Sequence, residues 1–253
     1  MVMDEEEKLF QEITGFRDEF QEIASECRKF FFMTRAKELQ IEARDRLKTF
    51  EPKAEVLKEK AIALESEDAA NAMLCYEELI SAFVNELSMW IALKDDDTAL
   101  AWDCLVNAQT AISLAMQAHS IASNMQEYVE HLSLAEQVLF PPQLFFSPGM
   151  IIREARCSIC DEEYGECNHV VGRPYMGQLC IRDIVEAEIE EASLVKKPAN
   201  KKARGIYYTD TKGVRRDFLT WRVTSSTETE QKDENAVVFT SEIDFTQKRN
   251  ASE

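Results

Sequence analysis

Residues 157–180 read CSICDEEYGECNHVVGRPYMGQLC. Four of the seven cysteines and one of the three histidines fall in these 24 residues, as Cys157, Cys160, Cys167, His169 and Cys180. The spacing is C-x2-C-x6-C-x-H-x10-C. Two thiolates separated by two residues can be aimed at one ion by a tight knuckle, and a second pair completes tetrahedral coordination. Cys167 with His169 supplies that pair if the chain turns at Tyr164-Gly165. Cys180 is the substitute donor for either of them, so the spacing leaves open which four of the five bind. Mixed sulfur and nitrogen ligation favours zinc. In a chain read as cytosolic, clustered thiols point to a metal rather than to disulfides.

A catalytic zinc keeps an open position beside a general base. Glu162, Glu163 and Glu166 lie close in sequence, but an acidic loop is equally a charge balance for a cation. The zinc-deaminase pattern needs H-x-E and P-C-x-x-C. Here Val170-Val171 follows His169 and Arg156 precedes Cys157, so both halves fail. H-E-x-x-H is absent, and the donors are too few for a RING-type domain. A closed, structural zinc knuckle is the expected state, with no catalytic residue assigned.

Upstream, the chain is helical in pattern. Leu9, Ile13, Phe16, Phe20, Ile23, Cys27 and Phe30 alternate in steps of four and three, a heptad seam. It fits a coiled coil between copies, or an amphipathic helix packed on the chain's own neighbours. The phase slips at Phe30-Phe31-Phe32-Met33 and resumes at Ala36, Leu39, Ala43, Leu47 and Phe50; Pro52 marks a break. Ala54, Leu57, Ala61 and Leu64 continue the pattern. Ser66, followed by Glu67 and Asp68, is the expected N-cap of a helix burying Met73, Tyr76, Ile80, Phe83, Leu87 and Trp90. Asp95-Asp96-Asp97 starts another, with Leu100, Leu105, Ile112 and Ala115 inward, and a last helix runs from Met125 to Leu139. This is an acidic helical bundle. His119, His131, Cys75 and Cys104 read as structural side chains within it.

Helices should end at Phe140-Pro141-Pro142, with a turn at Ser147-Pro148-Gly149. Residues 181–191 read as a short acidic helix. From Lys196 to Arg216, eight cations face Asp210 alone, the densest basic stretch in the chain. Asp210-Thr-Lys-Gly213 suits a hairpin turn between 205–209 and a strand over 214–223. Alternation along that strand would put Arg216, Phe218, Thr220 and Arg222 on one face, with Arg215, Asp217, Leu219 and Trp221 on the other. Lys201, Lys202, Arg204, Arg215, Arg216 and Trp221 are the candidate contacts for an acidic protein surface or for nucleic acid. Residues 224–253 have the composition of a flexible tail, and 236–245 could add a strand to an edge.

Composition bounds these readings. The 253 residues are 45% hydrophobic and 30% charged, with 47 acidic against 29 basic residues and a net charge of -18. Segments 1–70, 71–150 and 151–253 carry -6, -9 and -3. A uniform nucleic-acid-binding surface is therefore disfavoured, and only a local patch would serve. Met1–Leu9, with its four acidic residues, lacks the character of a signal peptide. The uncharged stretch 104–126 carries too many polar groups for a lipid-facing span. Neither a Gly-rich phosphate loop nor a nucleophile elbow occurs. A soluble, cytoplasmic protein is expected.

The stretch Phe-Phe-Ser-Pro-Gly (145–149), the Cys157 to His169 cluster, the Gly172, Tyr175, Gly177, Cys180 tail and Ser-Leu-Val-Lys-Lys-Pro-Ala-Asn (193–200) together resemble a zinc-bearing module of poorly characterised bacterial and phage-associated proteins. The resemblance covers about 145–222. It implies a small metal-stabilised fold and, by analogy, a role in host–phage conflict; it supplies no catalytic residue and no substrate.

The expected fold is mainly α: an amphipathic helix or coiled coil (1–52) and a helical bundle (53–145), then a zinc-stabilised α+β module (146–223) and a tail (224–253). The expected function is a non-catalytic assembly or adaptor protein that self-associates or binds a protein partner through its helices. A nucleic-acid-binding regulator and a zinc hydrolase are the alternatives.

Overall fold

A computed structural model describes residues 4–209, 214–224 and 239–241. It is mainly helical, with a strand-rich C-terminal region. By contacts the chain divides into two compact units: Met1–Leu134 with Arg153–Glu186, and Ala135–Ile152 with Ala187–Glu253.

In the first unit α1 (Glu5–Cys27) opens at Asp4, whose carboxylate accepts from the Glu5 amide. Three glutamates in its first turn suit the positive helix end. Leu9, Phe16, Phe20, Ala24 and Cys27 are buried along one stripe, as the seam requires. The stripe packs on the chain's own core. Phe16 and Phe20 each meet Phe50 edge-on at 5.6 Å, and Phe20 meets Tyr76 at 5.5 Å. Phe83 extends the cluster to Tyr128 at 5.1 Å. Such edge-to-face pairs add to plain area burial.

The slipped phase has a polar explanation. In α2 (Lys37–Lys48) it is Gln40, not Leu39, that turns inward. Leu39 is 44% exposed, whereas Gln40 is fully buried and donates to the carbonyls of Phe30 and Phe32 at 2.8 and 3.0 Å. Lys94 donates to its Oε1. Backbone carbonyls left over where α1 ends are thereby satisfied. The helix α3 (Glu51–Ala63) carries Pro52 in its first turn, where a missing N–H costs nothing.

The central element is α4 (Glu67–Lys94), which buries every residue assigned to its inward face. Ser66 occupies its N-cap position without a side-chain cap bond. Asp97 caps α5 (Thr98–Ala118), accepting from the Leu100 amide at 3.0 Å. Leu100 itself is 50% exposed, contrary to expectation. The inward stripe is Ala101, Leu105, Ala108, Ile112 and Ala115, and Leu100 lies one position off it. Then comes α6 (Gln126–Leu139). Among the described residues no helix is long and apolar enough to cross a membrane.

Three expectations fail beyond α6, two of them in the strands β1 and β4. Ser147-Pro148-Gly149 is no turn but part of β1 (Phe145–Cys157). A Cβ at Gly149 would sit 2.7 Å from Cγ of Glu191, so the glycine lets a neighbouring side chain pass. The acidic helix expected at 181–191 is instead the strand β4 (Arg182–Val195), which pairs with β1 in a two-stranded sheet. Ile184, Val185 and Ile189 favour the extended form, and the paired strand outweighs the helix-forming glutamates.

Between these strands lie β2 (Pro174–Tyr175) and β3 (Gln178–Leu179), an antiparallel hairpin. In the second unit β5 (Gly205–Thr209) pairs antiparallel with β6 (Arg215–Asp217) and with β7 (Phe239–Ser241). The register Tyr207–Asp217, Tyr208–Arg216, Thr209–Arg215 is that of the expected hairpin, whose turn at 210–213 lies outside the described residues. The expected strand over 214–223 stops at Asp217. Its carboxylate accepts from the amides of Leu219 and Thr220 and from the Thr220 hydroxyl at 2.7–2.9 Å, which closes a turn and ends the alternation. Of the strand expected over 236–245, residues 239–241 form β7, and the rest lies outside the described residues.

Candidate metal centre

Cys157 ends β1, and the chain folds back at once. The Cys157 amide donates to the Glu162 carbonyl at 2.9 Å and the Asp161 amide to the Cys157 carbonyl at 2.8 Å. Asp161 takes the left-handed backbone that closes the knuckle, at φ 61. Gly165 follows at φ 106, a conformation natural only to glycine. The reversal there returns Cys167 and His169 to the first pair. The candidate ligand atoms of Cys157, Cys160, Cys167 and His169 all lie within 4.8 Å of one another.

The donor chemistry fits a soft cation. Burial raises the Cys157 thiol, but the amides of Cys160 and Ile159 and the Cys167 and Cys160 side chains bring it down to about 6. Amides that point at a sulfur stabilise the thiolate, which is the ligand form. The Glu162 amide lowers Cys160, while partial desolvation of its sulfur and the bonds to Cys157 and Cys167 leave it above the usual 9.0. His169 Nδ1 is buried with no hydrogen-bond partner, an unsatisfied donor or acceptor of the kind a metal resolves. Its ring meets Tyr175 edge-on at 4.7 Å, and the Tyr175 hydroxyl accepts from the Val170 amide at 3.0 Å.

Cys180 lies at the same place. Its sulfur is 3.8 Å from that of Cys157, and burial followed by the Cys157 contact pushes it up to about 11. Four of the five sequence candidates thus form one mutual group, and Cys180 stands outside it, against Cys157.

The cluster is docked on the helices of its own unit. Met176 and Gly177 form the β2–β3 turn with φ of 45 and 78. The Gly177 amide donates to Oδ1 of Asn71 on α4 at 2.8 Å. Asn71 and Tyr175 support the site, yet the reading of the sequence assigned neither. A polar residue on an otherwise apolar face of α4 was the one available signal for Asn71.

The six candidate contacts lie in the second unit. Lys201 pairs with Glu136 at 2.6 Å. Lys202 is exposed and Arg204 is buried, its guanidinium donating to the Gly205 carbonyl at 3.2 Å. Arg215 stacks over Tyr207 at 4.2 Å. Arg216 donates to the Trp221 carbonyl at 3.2 Å, and Trp221 is 63% exposed with φ 60. His119 and His131 are engaged with Asp68 and Glu86 in the helical unit.

No family model, curated protein or solved structure matches this chain.

Proposed function

We propose that the chain is a non-catalytic adaptor whose Cys157, Cys160, Cys167 and His169 hold a structural zinc ion, and whose helices bind a second copy or a protein partner. The observation that carries this reading is the convergence of three sulfurs and an imidazole within 4.8 Å. Zinc would supply cross-linking: it ties the knuckle to the returning segment in a region with few apolar residues to bury. The helical surface supports the partner role. Phe32 and Met33 are 53% and 70% exposed in the connection between α1 and α2. A pocket of about 260 Å³ between α1 and α2 is lined by Phe30, Leu39 and Ala43 together with the charged Glu26, Lys29, Glu42 and Arg46. Adjacent exposed large apolar side chains are a usual mark of association. By analogy, the resemblance of residues 145–222 to phage-associated modules supports a role for such an adaptor in host–phage conflict.

Sedimentation velocity tests the association. The wild type should form a concentration-dependent dimer or larger species, and Phe32→Asp with Met33→Asp should give a monomer. A wild type that stays monomeric and binds no partner through this face would count against the adaptor.

A second reading is nucleic-acid binding through the exposed Trp221 and the neighbouring arginines, since an exposed indole can stack on bases. It requires retention of single-stranded DNA or RNA that falls steeply with salt and disappears in Trp221→Ala with Arg215→Ala. Retention that ignores salt would refute it.

A further inference from the structure

Cys180 is a fifth soft donor at a centre that needs four. Its sulfur lies 3.8 Å from that of Cys157, and both residues are fully buried. The segments that carry them run side by side. The Ser158 amide donates to the Ile181 carbonyl at 3.1 Å, and the Ile181 amide to the Ser158 hydroxyl at 2.9 Å. Chain segments held together one residue away on each side suit a disulfide, which needs close backbones as well as close sulfurs. Cys160, in contact with Cys157, is the exposed member of the group.

We propose that Cys157 and Cys180 are a redox-modification site, at which a peroxide converts the zinc-bearing cluster into a buried disulfide and expels the ion. This rests on the zinc reading above. The sulfur of Cys160, the exposed residue of the group, attacks the peroxide; an S–O bond forms, the O–O bond breaks, and the departing hydroxide is protonated to water. The Cys157 sulfur then displaces the hydroxyl group from Cys160, forming an S–S bond and a second water. Cys180 attacks the Cys157 sulfur in a thiol–disulfide exchange, and its proton passes to the departing Cys160 sulfur. Two electrons leave the sulfurs, two protons come from solvent, and one peroxide becomes two waters. With Cys157 in a disulfide the ion loses a thiolate ligand and leaves. The exchange ends at Cys180 because a buried disulfide resists reduction better than the exposed Cys157–Cys160 bond.

The test oxidises the zinc-loaded full chain with hydrogen peroxide while a chelating dye reports free zinc. Remaining thiols are then alkylated and the linked peptides mapped by mass spectrometry. Zinc should appear in step with a Cys157–Cys180 linkage, and dithiothreitol with added zinc should restore the starting state. Cys180→Ser should still hold zinc and stop at a Cys157–Cys160 linkage. A wild-type linkage that stays at Cys157–Cys160 or includes Cys167 overturns the proposal. So does a Cys180→Ser protein that no longer holds zinc, because Cys180 is then a ligand. A wild type with no zinc before oxidation refutes the metal reading itself and the proposal with it; a wrong linkage refutes the proposal alone, and zinc loss in Cys180→Ser refutes the proposal together with the four-residue ligand set while leaving a metal centre in place.

Discussion

The amide of Gly177 donates to the side-chain oxygen of Asn71 at 2.8 Å, joining the turn of the β2–β3 hairpin to α4. Both residues are buried. Asn71→Ala leaves that amide without a partner away from water, which should cost about 1–3 kcal/mol. Gly177→Ala should cost about 1 kcal/mol, because φ is 78 and the new methyl would lie 3.1 Å from Cγ of Lys58. Urea unfolding of the two variants checks both values. Midpoints equal to the wild type would remove this anchor from the account.

His131 gives the bundle a pH dependence. Its Nε2 meets the fully buried Glu86 at 2.7 Å. That bond raises the imidazole above 6.5, burial opposes it, the Glu86 charge adds to it, and Arg28 opposes it. Trp90 also donates to Glu86, and Tyr128 stacks against His131. A raised folded value favours the protonated native state. The contribution is complete below the ordinary 6.5 and is lost as pH rises through the folded value. His131→Gln should flatten the urea midpoint over that window; an unchanged slope would show that the pair carries none of it.

Glu78 acts in the same direction. Burial, followed by the Glu77 charge, raises it from 4.5 to about 7, with Lys58 opposing. The folded state binds this proton more tightly than the unfolded one, so stability falls as pH rises from 4.5 through 7. Glu78→Gln should therefore stabilise the chain at pH 8 and change little at pH 4. Thermal melts at the two pH values decide it, and a loss of stability at pH 8 would contradict the sign.

Trp221 is held at φ 60 while its side chain remains 63% exposed. Left-handed backbone is costly for a bulky residue and tolerable for asparagine. Trp221→Asn should raise stability by about 1 kcal/mol, measured by urea unfolding. A net loss would mean that the indole contributes to folding rather than to a surface.

The helices were largely legible because their signal is local: period-3.6 burial put Met73 through Trp90 inside before any contact was known. The misplaced residues have physical causes that a pattern does not carry. Gln40 replaced Leu39 in the core because the carbonyls of Phe30 and Phe32 needed a donor. Residues 182–195 form a strand despite their glutamates because pairing with β1, a long-range fact, outweighs propensity. Ligand spacing is a local signal too, so the cluster was legible as a cluster, while the spacing alone left open which four of its five donors converge. What the spacing leaves out is the support: Asn71 lies 106 positions from Gly177 in sequence.

The most direct test is native mass spectrometry of the purified chain, repeated after acid denaturation. Each native chain should carry the added mass of a zinc ion, lost on denaturation and absent from Cys157→Ser. Native and denatured chains of equal mass, with the thiols reduced, would contradict the metal centre.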